Sequence, residues 1–398
     1  MYWRHGILIL SLLALCLTGC WDRRELNELG IELGTGYDKI GDQYHVSVQV
    51  VDPSSVSTKN SGSVRSPVVM YKASGPTIFE TLRKLTMTSP RKIYGAHIRV
   101  IIVGESLARE GISKILDLQM RDAEPRPDIY MLVAKNGTAE NALKIMTPLE
   151  KIPSQNLYAS LEASAKFAGT STKVTLDQLA TQLITVGINP VITGVHIIGN
   201  QQIGEKERNV NEIDSSARLE LSDLAVFEKD RLVGWLNQEE SKGYNYILDN
   251  IGSTVDHVNC PEGGKLVLET YNSKTSLKSR IRQGEPEIDV KVESIANIGD
   301  VECKIDFTNP ETIKDLQKEW SKQLTLLMEN TVSTIQKKYH SDIFGFGQTI
   351  YRNHPKEWSR LKDRWEDLFI KLKVNYDVKV TIRRVGSINN PISNKLRE

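Results

Sequence analysis

Cysteine is scarce in this chain: four in 398 residues, one of them, Cys16, inside an N-terminal apolar run. Beyond residue 20 only Cys260 and Cys303 remain, too few for a disulfide framework. They could pair in an oxidising exterior, but nothing in the sequence fixes their proximity, and two free thiols are the favoured reading. Net charge is lacking too. The 51 basic and 50 acidic side chains leave a formal charge of +1, which argues against a nucleic-acid or anionic-membrane surface. Apolar runs of spanning length are missing: the longest, from Gly6 to Leu17, falls well short of the ~20 residues a membrane-crossing helix needs. Aromatics are modest, as in an ordinary globular protein.

Catalytic patterns are absent as well. There is no His-Glu-x-x-His, no Gly-x-Ser-x-Gly, no phosphate loop and no Cys-x-x-Cys. His97, His196 and His257 are isolated in sequence and read as hydrogen-bonded core or edge residues. His257 lies three residues before Cys260, but no second pair completes a metal site. The carboxylates Glu239-Glu240 read as solvated, or with one bonded to a backbone amide. Gly345-Phe346-Gly347 lacks the strand and length of a nucleotide fingerprint and reads as a flexible turn between helices. The expectation is a protein that is not an enzyme, with no cofactor, no metal and no catalytic residues.

What is present begins at Leu17-Thr18-Gly19-Cys20. Arg4, the apolar run and these small residues form a signal peptide over residues 1–19. The cysteine directly after the small residues makes it a lipoprotein signal, with Cys20 as the lipid attachment site. Its thiol takes a diacylglyceryl group, and cleavage falls before it. The body is then held to the outer face of a bacterial membrane by acyl chains. Loss of the leader takes one basic residue and leaves 50 charges of each sign.

Along the body, Tyr44 to Val50 alternates as a strand after a Gly41-Asp42 turn. Residues 53–67 are Ser-rich and read as a loop. Pro76 opens a helix with Ile78, Leu82 and Leu85 on one face. His97–Val103, nearly all β-branched, and Asp128–Ala134 read as buried strands flanking a helical stretch, which predicts a βαβ crossover and a mixed or parallel sheet. Thr175 to Gln178 is a capping-box pattern. Val191–Ile198 reads as a strand, and the polar segment 199–217 as a linker.

The second half opens with strand, turn, strand over Leu224–Leu236 and continues with strand-like runs to Ile298. One long helix follows, from about Pro310 to His340, with Trp320, Leu324 and Leu327 among its inward residues. Pro355 starts another, carrying Trp358 and Trp365, and Val374–Ile382 is a closing strand. These tryptophans read as core, with a partner groove as the rival reading. The fold expected is mixed α/β or α+β and multidomain, with three α/β domains. Its divisions are an N-terminal α/β region of two subdomains over 20–198, the linker 199–217, a C-terminal α+β domain over 218–386 with its own core, and a tail 387–398. The C-terminal domain is expected as an antiparallel sheet packed with the long helix.

Together these residues resemble the Ger(x)C family, the C-subunits of spore-germination nutrient receptors. The likeness opens at Gly19-Cys20-Trp21-Asp22-Arg23-Arg24-Glu25-Leu26 with Gly30. It continues through Ala96-His97, Val103-Gly104-Glu105, Leu107 to Ile112, Arg121-Asp122 and Asn189-Pro190-Val191. Ala225-Val226-Phe227, Leu232 to Leu236, Glu240 and Gly243 resemble the start of the C-terminal region. Phe344-Gly345, Pro355, Trp358, Trp365 and Phe369 resemble its close. The resemblance implies a non-enzymatic lipoprotein on the outer face of the inner spore membrane. It implies assembly with two integral-membrane subunits, A-type and B-type, in a receptor for nutrient-triggered germination. No nucleic acid is expected as a partner, and no small-molecule ligand for this subunit alone.

The alternative is an extracytoplasmic solute-binding lipoprotein of a transporter. Such proteins have two similar lobes around a cleft, whereas here a crossover-rich half precedes a meander with a long helix.

Overall fold

The alternation of β-branched runs with amphipathic stretches produces a mixed α/β architecture, described by a computed structural model over residues 3–5, 28–51, 66–260 and 263–384. Cys20 with the Gly6–Leu17 run, the motif through Leu26, nearly all of the Ser-rich loop and the tail 387–398 lie outside the described residues.

Among the described residues, nine strands build the first sheet. They are β1 (Leu29–Ile40), β2 (Gln43–Val51), β3 (Val68–Gly75), β4 (Lys92–Tyr94), β5 (Val100–Gly104), β6 (Tyr130–Ala134), β7 (Val191–Gly199), β8 (Ala217–Glu228) and β9 (Arg231–Leu236). The order is β3-β2-β1-β5-β6-β7-β8-β9, with β4 beside the start of β1. The expected crossover is there: β5 and β6 pair in parallel, Val100 opposite Tyr130 through Gly104 opposite Ala134. Helices Glu105–Glu110 and Ser113–Arg121 make the connection. The central strands are apolar on both faces, as a covered parallel sheet requires. Ile101 and Val103 enter one core, and Val100 and Ile102 the other. The capping box at Thr175 starts the helix Leu176–Ile184 as expected.

The second sheet runs β10-β11-β12-β13, that is Thr254–Asn259, Lys265–Arg282, Glu285–Val301 and Lys373–Arg384. It is mixed rather than wholly antiparallel, because β13 pairs in parallel with β12. A parallel neighbour needs a crossover, and the helices between Pro310 and Ile370 supply it. The long helix spans Pro310–Thr334 and ends in a wider turn, Ile335–Tyr339. Trp320, Leu324, Met328, Val332 and Ile335 recur every three to four residues on its buried side. The same helix covers an edge strand, whose unpaired amides would otherwise invite pairing with another chain. Val380 N–H donates to Ser321 Oγ at 3.2 Å, and Ile382 N–H to Gln317 Oε1 at 2.9 Å.

Two further expectations are corrected. The segment 199–217 is not an open linker. It holds short helices Gln201–Gly204 and Arg208–Asn211 and returns the chain so that β8 pairs with β7, Gly199 opposite Ala217 through Val191 opposite Val226. The first sheet therefore crosses the expected boundary. On β8, Ala225 and Phe227 pack in the core of the first half, while Leu224 and Val226 pack in the core of the second. The thiols are not free either: Cys260 and Cys303 form a disulfide, their Cα atoms 6.2 Å apart. The physical reason is the meander. Asn259 pairs with Lys265 and Val301 with Leu266, so the residues just beyond β10 and β12 flank the same end of β11.

Candidate functional site at the junction of the two regions

The motifs singled out in the sequence do not converge on a catalytic centre. His97 and His257 are exposed and His196 is half-buried, on three separate elements. Glu240 closes a capping box, accepting from Asn237 N–H at 2.9 Å. Trp320, Trp358 and Trp365 are all buried, so the core reading of these tryptophans holds and the groove reading fails. Among the described residues no group of three or more His, Cys, Asp or Glu side chains has the arrangement to hold a metal ion.

Instead the motifs meet pairwise where the two halves join. Glu105, at the start of the helix after β5, accepts from Trp235 Nε1–H on β9 at 3.2 Å. It also accepts from Asn136 N–H at 2.7 Å and from Arg109 at 2.6 Å. Its carboxyl is held below the usual range: burial opposes this, but the Asn136, Arg109 and Trp235 donors outweigh it. The next turn is tied to the β8–β9 hairpin: Ile112 N–H donates to Asp230 O at 3.0 Å, and Ser113 N–H to Asp230 Oδ2 at 3.3 Å.

The third tie is the tightest. Asp342 is fully buried beyond the long helix. Its Oδ1 accepts from Phe344 and Phe346 N–H at 3.1 and 3.2 Å. Its Oδ2 accepts from Gly347 N–H at 2.9 Å and Trp365 Nε1–H at 3.0 Å. Burial pushes this carboxyl up to about 6 against the pull of those four donors. The Asp342 carbonyl in turn accepts from Asn189 N–H at 2.7 Å, and Asn189 Oδ1 accepts from Lys229 N–H at 2.9 Å. Gly187 has φ +86°, and a β-carbon there would stand 2.8 Å from the Trp358 ring and 3.0 Å from Gly347 Cα. Only glycine admits that approach. The Gly345-Phe346-Gly347 turn is thus not flexible. It is buried, bonded from within, and pressed on the Gly187–Pro190 loop of the first half.

Sequence reasoning found these motifs but not their pairing, since Glu105 and Trp235 are 130 residues apart. What the arrangement does is mechanical: three polar ties, the one at Asp342 buried, fix the two halves as one body.

Comparison with known proteins accounts for the pattern. Residues 22–197 match the model of the spore germination protein N-terminal domain, and residues 222–386 that of the spore germination B3/GerAC-like C-terminal region. The chain is 33% identical to spore germination protein KC of Bacillus subtilis strain 168, over 98% of both chains. It is 23% identical to spore germination protein B3 of the same organism, over 97% of this chain and 98% of that one. The fold matches the crystal structure of the GerBC protein at a TM-score of 0.57, with 18% identity, over 88% of this chain and 96% of that one. Matched from end to end in its two regions, the chain belongs to the Ger(x)C, or GerAC-like, family of spore germination proteins.

Proposed function

We propose that this protein is the lipid-anchored C-subunit of a spore germinant receptor, required for nutrient-triggered germination and acting through assembly with integral-membrane subunits of the A and B types. The observation that carries the reading is identity of 33% over nearly the whole length of a spore germination protein. In this reading Cys20 is the lipid attachment site and the body lies on the outer face of the inner spore membrane. No described helix is long and apolar enough to cross a membrane; in this reading the acyl chains on Cys20 supply the attachment. The protein contributes binding surface and rigidity rather than catalysis.

The transporter reading needs two similar lobes. The two sheets differ in strand number and order, so that reading gains no support from the fold. The test has two parts. In Cys20→Ala spores the protein should move from the membrane fraction to the soluble fraction, still folded. Pulling the wild-type protein from spore membranes should bring integral-membrane receptor subunits with it. A variant that stays in the membrane after a salt wash overturns the anchor; capture of transporter subunits instead overturns the receptor assignment.

A further inference from the structure

One concavity lies away from the junction and plays no part in it. Strand β1 changes neighbour at Glu32: Leu29–Ile31 pair with β4, and Gly34–Tyr37 with β5. Its ladder with β2 is also irregular between Glu32 and Gly34. Such irregularities re-aim side chains. Here the result is a cleft of about 280 Å³ with Glu32, Thr35 and Tyr37 in its lining.

Glu32 is only 5% exposed, a carboxyl in a position where charge is expensive unless paired. One of its partners is a neutral hydroxyl: Thr35 Oγ1–H donates to Oε1 at 2.5 Å. Oε2 faces Gly95, where a β-carbon would stand 3.9 Å from it. Across the cleft, Gln119 is 6% exposed. Its Nε2–H donates to the Tyr37 hydroxyl at 2.5 Å, and its Oε1 is buried without a partner. A buried, unpaired amide oxygen is costly, and Gln119 lines the same cleft as the Glu32 carboxyl.

The charges around the cleft sharpen the picture. Asp122 and Glu124 add negative potential at Glu32; with burial as the larger cause, its carboxyl rises to about 7. The two cations of the lining are engaged by other groups of the same wall: Lys92 pairs with Glu124, and the Arg83 guanidinium lies 5.0 Å from the Phe79 ring. The remaining wall is apolar, from Leu82, Leu85 and Ile98. What is missing is a group with several N–H donors and a positive charge, attached to a small apolar body. The volume far exceeds that of a bare ion and is close to the lower limit of small-molecule sites.

We infer that this cleft binds a small organic ammonium compound, its N–H groups on Glu32 and Gln119 and its apolar part against Leu82, Leu85 and Ile98. This departs from the expectation that the subunit alone has no small-molecule ligand. It does not rest on the receptor assignment. The site escaped sequence reading because its two acceptors are 87 positions apart and neither belongs to a recognisable motif.

The test is calorimetric titration of the full chain, in a non-ionic detergent, with n-butylammonium chloride. n-Butanol and tetramethylammonium, which lack the charge and the N–H donors respectively, are the controls. Saturable one-to-one binding is expected, weakened about tenfold or more by Glu32→Gln and several-fold by Gln119→Leu, with neither control saturating. Absence of saturation up to about 10 mM overturns the inference. So does equal binding of either control, or affinity unchanged in both variants. If Glu32→Gln loses its cooperative melt, Gln119→Leu decides, because it leaves the carboxylate in place.

Discussion

Trp365 Nε1 stands 3.0 Å from Asp342 Oδ2, and the same oxygen accepts from Gly347 N–H at 2.9 Å. One buried carboxylate thus closes the turn after the long helix and fixes the aromatic helix that follows. Trp365 stacks edge-on with Trp358 at 5.3 Å, and Trp358 covers Gly187 of the first half. The position of the N-terminal loop against the C-terminal core is therefore set by a hydrogen bond and a ring pair that share one tryptophan.

Asp342→Asn should be destabilising out of proportion to its size. An amide in that place turns an N–H₂ group toward two N–H donors, whichever way it is oriented. Two buried donors lose their acceptor, at a cost of about 2–4 kcal/mol. Trp365→Phe keeps the ring and loses one bond, and should cost less, about 1–2 kcal/mol. Urea midpoints of the two variants check the order; an Asn variant as stable as the wild type would refute the role given to the carboxylate.

Stability should fall as pH rises from mildly acidic to neutral on account of Glu32. Its carboxyl titrates near 7 in the folded chain against an ordinary value of 4.5. Between those limits the folded state holds a proton that the unfolded state has released. The unfolded state binds fewer protons, so the slope of stability against pH is negative across that window. The contribution is whole below the unfolded value and gone above the folded one. Glu32→Gln removes it. Thermal melts of wild type and variant across this window should converge or cross in the variant's favour as pH rises; a constant difference would refute the buried-acid reading.

The disulfide closes a loop of 43 residues that contains the whole β11–β12 hairpin. By chain entropy such a closure stabilises by about 4 kcal/mol, and measured losses on removal are about 2–5 kcal/mol. The double variant Cys260→Ser, Cys303→Ser should unfold at lower denaturant. Reductant should lower the wild type to the same midpoint and leave the variant unmoved. If reductant shifts both equally, the bond is not the source.

Much of this fold was legible because local chemistry and tertiary structure agree. The Thr175 capping box, the Pro355 helix start and the buried β5 and β6 runs each report their own environment. What stayed hidden is non-local. The direction of β13 depends on a crossover of about seventy residues, which no alternation pattern within Val374–Ile382 reveals. The Cys260–Cys303 pairing depends on hairpin register. Glu32 and Gln119 carry no periodic signal that would mark a shared cleft. The polarity of 199–217 suggested a linker, yet Asn209, the residue that returns the chain, is polar because it bonds backbone. Its Nδ2 donates to Met146 O at 2.8 Å and Ala217 O at 3.0 Å, and its Oδ1 accepts from Ala217 N–H at 2.8 Å.

That return governs what happens if the chain is cut at the expected boundary. A fragment from Arg218 to Gly386 begins with β8 stripped of β7, its partner at eight positions of the fragment. Ala225, Phe227 and Leu232, buried in the first-half core, become exposed. The Asn189 tie to Asp342 and the Gly187 contact with Trp358 are lost with the first half. Exposed apolar surface beside an unpaired strand edge favours association over independent folding. We expect this fragment alone to bind a hydrophobic dye and show no sharp melt. Expressed together with residues 20–217, it should co-purify as a complex that melts cooperatively, because the β7–β8 ladder can re-form between the pieces. Circular dichroism melts of the fragment and of the pair check this. A sharp transition in the fragment alone, with no capture of the other piece, would show that the boundary separates two autonomous domains and that the three ties are secondary.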